Sequence, residues 1–228
     1  YGQSDSNELV YYWFTPSDSG GNAKSPLFNV LPHMADTFVN NGLHFASLGY
    51  DCVPACQLRT LFDWLKPDCV PVWSELGLTA CPAFNVAGHS AGGHLAVTAG
   101  ACVHWPGELA GLIKGVLPIS GVFDLMPLVK TSVNHPLGMN TAQSCRAEPY
   151  ARPSTAAPGQ PPPILAIVGA LESPEFTRQS RELCDLLRRH GRQADVNIVP
   201  ERDHFDIIEL LADPADPLSQ RILAFIRS

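Results

Sequence analysis

Three kinds of side chain stand in an order suited to acyl transfer. A serine lies in Gly88-His89-Ser90-Ala91-Gly92, carboxylates follow it, and a histidine lies in Asp203-His204-Phe205 near the end of the chain. Gly-x-Ser-x-Gly alone is short and common, so its meaning comes from context. Here the apolar run 83–87 leads straight into it, and a stretch rich in small residues, 91–103, leaves it with helical character. A serine at the tip of a sharp strand-to-helix turn must hold strained backbone angles. Its neighbours two positions away on each side must therefore be nearly free of side chain. Such a turn lifts Oγ above the sheet edge and leaves the N–H of Ala91 free to meet an oxyanion.

An unassisted serine is a poor nucleophile and needs a base, which in turn needs a group to orient it. Of the eight histidines, His204 alone lies in a loop that follows a late strand (196–199) and precedes another helix. His89 and His94 flank the serine, where the local backbone aims them elsewhere, and they read as turn packing and helix surface. Two carboxylates compete for the orienting role. Glu172 follows the strand 164–168 through Gly169-Ala170-Leu171, and Asp124 follows the strand 112–119. Both positions lie beyond the C-terminal ends of strands, where α/β proteins gather their sites. Glu172 and Glu175 would also suit the start of the helix expected at 177–190.

The elements that must carry these residues alternate. Strands are expected at 9–14, 43–48, 83–87, 112–119, 164–168 and 196–199. Helices are expected at 32–41, 55–66, 91–103, 177–190 and 218–226, with Gly42 and Gly191 as stops. The Pro/Ala/Gly-rich stretch 154–163 reads as a surface connection, because the alternation resumes straight after it. This pattern calls for a mostly parallel central sheet with helices on both faces, in one domain over residues 1–228.

Composition narrows the function classes. Fifteen Lys and Arg stand against 22 Asp and Glu, for a net charge of −7 without any basic run, which argues against a nucleic-acid partner. No apolar stretch is long enough for a membrane span, and no leader-like segment follows Tyr1. The seven cysteines are scattered and odd in number, and Cys52 with Cys56 finds no second pair to complete a zinc pattern. Reduced thiols and a cytoplasmic location are expected. Neither cofactor nor metal is required. The partner expected is a small-molecule substrate, with at most a second copy of the chain in a homodimer.

With these residues in view, the chain resembles bacterial kynurenine formamidases (arylformamidases) and their α/β-hydrolase relatives. Four stretches carry the likeness in order. They are Gly88-His89-Ser90-Ala91-Gly92-Gly93-His94-Leu95, Ser120-Gly121-Val122-Phe123-Asp124-Leu125, Gly169-Ala170-Leu171-Glu172-Ser173-Pro174-Glu175-Phe176, and Asp203-His204-Phe205-Asp206. The resemblance implies the α/β-hydrolase fold and a Ser90–His204–Glu172 triad, favouring Glu172 over Asp124. It also implies hydrolysis of an aryl formamide such as N-formyl-L-kynurenine to the free amine and formate through an acyl-serine. A carboxylesterase acting on small acyl or aryl esters uses the same triad, and a hydrolase-like binding protein with little catalysis is the alternative from another class. Phe14, Phe123 and Phe205 are candidates to line an aromatic pocket. One departure stands out. Where the family carries His-Gly-Gly after its first parallel strand, this chain has Thr15-Pro16-Ser17-Asp18-Ser19. Pro16 has no N–H, so the second oxyanion donor falls to Ser17 or Asp18. Loss of one such donor costs about 3–4 kcal/mol of transition-state stabilisation.

Overall fold

The computed structural model describes residues 9–16, 34–50, 83–102, 111–132, 134–142 and 161–228, with only the backbone for 9–16, 46 and 48–50. Six strands form one sheet: β1 (Leu9–Pro16), β2 (His44–Tyr50), β3 (Ala83–His89), β4 (Ile113–Ile119), β5 (Ile164–Gly169) and β6 (Ala194–Val199). Their spatial order is β2-β1-β3-β4-β5-β6, and every neighbouring pair is parallel. The order reverses once. The chain steps from β1 outward to β2, then returns to place β3 on the other side of β1. In an open parallel sheet this reversal opens a crevice beyond the C-terminal strand ends, here between β1 and β3.

Alternate residues of the strands feed two cores. Phe84, Val86, Val116 and Ile164 face one layer, built from α2 (Ala91–Val97), its π-helical continuation Thr98–Cys102, and α3 (Pro174–Arg189). Ala87, Leu117, Leu165 and Ile167 face the other. That layer holds Met34 and Phe38 of α1 (34–39), the 3-10 segment Asp206–Ala212 and α4 (Pro217–Ile226). Burial on both faces explains the near-continuous apolar run of β5, whose six residues are all buried. At the sheet's edge β6 is mostly half-buried, so its hydrophobic signal is correspondingly weaker.

The expected elements that fall on described residues are present, with several boundaries moved: β1, β2 and β3 each run two residues further than expected. The helix after Ser90 turns π-helical at Thr98, where Thr98 Oγ1 donates to the His94 carbonyl (2.9 Å). The late helix starts at Pro174 rather than Thr177, since proline suits the first helical turn. The last strand begins two residues early, at Ala194. Gly42 and Gly191 adopt φ of +79° and +73° just past α1 and α3, the left-handed stop expected there. Beside the second stop, the buried Arg192 guanidinium donates to the carbonyls of Gly100 and Ala101, both at 3.1 Å, closing the far end of the α2 stretch. The helix expected at 55–66 and most of the connection at 154–163 lie outside the described residues.

Candidate active site

Each of the four strands from β3 to β6 hands over one polar residue just past its C-terminal end. The sheet's own hydrogen-bond ladder runs on into these turns. Ser90 N–H donates to the Ile119 carbonyl (2.9 Å), Ser120 N–H to Ile167 (2.7 Å) and Ala170 N–H to Val199 (2.9 Å). Ser90, Ser120, Glu172 and His204 are therefore mounted on one continuous scaffold.

Ser90 has φ 56° and ψ −116°, a conformation that side chains rarely adopt. Such strain costs on the order of 1–3 kcal/mol and persists only where the surroundings enforce it. A Cβ on Gly88 would overlap the backbone carbonyl group of Gly92, and one on Gly93 would stand 3.0 Å from Gly121 Cα. The glycines thus let the turn close on itself and the helix lie against the sheet. Ala91 is the first helical residue, and a helix leaves its first N–H groups without internal acceptors.

From Ser90 a chain of hydrogen bonds runs inward. Ser90 Oγ lies 3.2 Å from His204 Nε2, and His204 Nδ1 lies 2.7 Å from Glu172 Oε2. An ionised carboxylate only accepts, so Nδ1 carries the proton and Nε2 presents its lone pair to the serine hydroxyl. The other oxygen, Glu172 Oε1, accepts from Ser120 Oγ at 2.6 Å and from Gly169 N–H at 2.7 Å. Burial pushes the Glu172 carboxyl up, but hydrogen bonds from His204, Ser120 and the Gly169 amide outweigh it and hold the group below the usual carboxylate range. The arrangement can take a proton from Ser90 and stabilise the imidazolium that results.

The rival acid is committed elsewhere. Asp124 Oδ2 accepts from Arg178 Nη2 at 2.7 Å, and Arg178 also binds Glu175 and Glu182. Gln179 completes the anchorage: its Oε1 accepts from the N–H groups of Phe123 (2.8 Å) and Asp124 (3.0 Å). Asp124 so ties the loop after β4 to α3. Asp203 and Asp206 are occupied by their own turn, with Asp203 N–H donating to Asp206 Oδ1 (2.7 Å) and Asp206 N–H to Asp203 Oδ1 (3.0 Å).

The aromatic candidates separate. Phe205 is 65% exposed and meets the His204 ring edge-on at 5.3 Å. Phe123 is wholly buried in the core against α2 and α3, with its ring filling the space over Gly121, so it packs the interior instead of lining an opening. Phe14 lies on β1, paired with Gly88, where only the backbone is described. Ser17 and Asp18 lie outside the described residues, while β1 ends at Pro16, two positions past that pair. Among the described residues no cluster of three or more His, Cys, Asp and Glu is arranged to hold a metal.

Sequence reasoning overlooked three contributors. Ser120 takes a left-handed φ of 49°, an unusual conformation for a serine that nothing in its residue type announces. Phe176, at the start of α3, packs its ring 4.7 Å from that of His204. Most unexpected is His89, buried, with Nε2 on the His204 carbonyl at 2.7 Å. The helical start at Pro174 could have pointed to Phe176, since it puts that residue in the first turn beside Glu172.

Comparison with known proteins fits this arrangement. No family model matches the chain. Kynurenine formamidase of Salmo salar is 31% identical over 196 residues, covering 83% of this chain and 65% of that protein. The Danio rerio enzyme is 29% identical over 225 residues, 95% of this chain and 70% of its own. The chain is similar to kynurenine formamidases and has the α/β-hydrolase fold. The chain spans just under two thirds of the salmon relative's length. Among solved structures, a candidate thioesterase from a Silicibacter species superposes with a TM-score of 0.73 at 24% identity, over 97% of this chain and 76% of that one. Esterase B of Lactobacillus rhamnosis gives 0.69 at 17% identity, over 99% and 77%. These two share the fold. None of the described helices is long and apolar enough to cross a membrane.

Proposed function

We propose that the chain hydrolyses an aryl formamide such as N-formyl-L-kynurenine to the free arylamine and formate through a formyl-serine on Ser90. The observation that carries this reading is the hydrogen-bonded line from Ser90 Oγ to His204 and on to Glu172, at 3.2 and 2.7 Å. Ser90 Oγ attacks the formyl carbon while His204 Nε2 takes its proton. The Ala91 N–H and an amide of Ser17 or Asp18 receive the oxyanion. His204 then gives its proton to the departing amine, and the C–N bond breaks. Water, deprotonated by the same nitrogen, attacks the formyl ester. Formate leaves and Ser90 regains its proton. Glu172 stays ionised and stabilises the imidazolium at both steps.

The choice of an aromatic formamide is supported by the names of the two fish relatives and by the Phe176 and Phe205 rings that flank His204. The setting we infer is cytoplasmic and the partner a small molecule. Cys184 is a buried free thiol, as a reducing compartment would keep it.

The test measures formate released from N-formyl-L-kynurenine beside turnover of a p-nitrophenyl ester, with fluorophosphonate labelling of Ser90. The reading expects labelling and formate release, and a fall in kcat of about 10⁵- to 10⁶-fold in Ser90→Ala with the fold intact. Ester turnover without formate would make the protein an esterase, and absence of labelling would make it a binding protein.

A further inference from the structure

The residue before the candidate nucleophile does not behave as turn packing. His89 ends β3, is 5% exposed, and reaches across 115 positions of sequence to the main chain of the candidate base. Its Nε2 lies 2.7 Å from the His204 carbonyl oxygen, and its ring centroid lies 4.6 Å from that of His204. A carbonyl can only accept, so Nε2 carries the proton. The other nitrogen, Nδ1, is buried without a hydrogen-bond partner. The ring's one polar contact is therefore its grip on the His204 backbone.

That grip has a geometric purpose. The loop carrying His204 is pinned to β5's turn by Leu171 N–H on the Arg202 carbonyl (2.9 Å), and Gly169 lets Arg202 lie directly against it. Those contacts fix the loop relative to Glu172. They tie it to Ser90 only indirectly, through the intervening strand β4. The His89 bond is a direct tie, because His89 and Ser90 are consecutive. We propose that His89 is a positioning residue for the base, holding the His204 main chain so that Nε2 stays within hydrogen-bond reach of Ser90 Oγ.

This inference rests on the proposed role of His204. The charge state of His89 is consistent with it. Burial and the neighbouring His204 push its imidazole down to about 4, against the pull of the His204 carbonyl and the Glu172 charge. It thus stays neutral when His204 becomes an imidazolium and adds no second cation beside it.

Glutamine and methionine are close in volume, and Gln places an N–H donor near the Nε2 position while Met has none. The decisive pair is therefore His89→Gln and His89→Met, compared for kcat, KM and Tm on whichever substrate the parent turns over. His89→Met should lose about tenfold to a hundredfold in kcat with little change in KM, as expected when a reacting pair is displaced by a fraction of an ångström. His89→Gln should recover most of that loss. Equal kcat in the two variants, whether full or reduced, would overturn the inference. A second readout does not depend on turnover: the low-field proton resonance of the His204–Glu172 bond. It should be present in the parent and in His89→Gln, and broadened or lost in His89→Met. An inactive parent that still shows that pattern would sink the proposed function and leave the positioning role standing. Unchanged resonances in both variants would remove the positioning role.

Discussion

The two halves of the site are held by different physics. Around Ser90 the restraint is steric: a positive φ, Gly88 closed against Gly92, and a helix leaving at once. Around Glu172 and His204 the restraint is directional. Every carboxylate oxygen has a named donor, and the loop is tied by single hydrogen bonds. A steric restraint fails by unfolding the turn, whereas a directional one fails by misaiming a side chain that is still folded. Substitutions in the two halves should accordingly divide between stability and rate.

The largest contrast lies within the directional half. Glu172→Ala is expected to lower kcat by about 10⁴-fold, since it removes the group that sets the His204 tautomer. Asp124→Ala should leave kcat near the parent value and lower Tm slightly, because it loses a half-exposed pair with Arg178 and a local bond from the Met126 N–H, neither of which touches His204. Steady-state kinetics on both would decide this, and a dead Asp124→Ala with an active Glu172→Ala would reverse the assignment. Gly88→Ala tests the steric half. A Cβ there meets the Gly92 backbone, which has no flexible end to move away, so a loss of about 3 kcal/mol in chemical denaturation is expected. Near-parental stability in that variant would show that the turn is not sterically locked.

A pH titration of stability addresses the bridge between the halves. The His89 imidazole lies at about 4 in the folded protein against 6.5 for the free group. Between those values the unfolded chain binds the extra proton, so folding is unaffected above about pH 6.5 and weakens as pH falls toward 4. The loss should reach at most about 3 kcal/mol. Denaturant midpoints measured across that range should slope less in His89→Gln, and an unchanged slope would assign the effect to another group. The smallest effect is expected in Ser120→Ala. It removes one of two donors to Glu172 Oε1 and leaves the Gly169 amide in place, for a fall of about tenfold in kcat. A loss as large as that of Glu172→Ala would mean that the two donors do not substitute for each other.

Much of this is legible in the sequence. Apolar runs separated by capped helices mark the strands along the chain, and the serine turn and the candidate acid and base stand out because each follows such a run. What stayed hidden depends on contacts between distant residues. Asp124 and Glu172 are alike by residue type and position, and two distant contacts separate them: His204 on Glu172, and Arg178, 54 residues away, on Asp124. Phe123 reads as a pocket aromatic until its ring is seen to fill the space over Gly121. His89 reads as turn packing because the local backbone aims it away from the serine, yet its side chain reaches a loop that local sequence cannot reveal. Ser17 and Asp18, the expected second oxyanion donors, lie outside the described residues.

The mounting of four polar residues on four successive strand ends has a kinetic consequence. Contacts within β3 and its helix are local, so the serine turn can form early during folding. The base arrives only when β6 has joined the far edge of the sheet, more than a hundred residues later in the chain. Refolding followed by a fluorophosphonate pulse would then report the docking of that last strand, with nucleophilicity appearing as the final step of assembly.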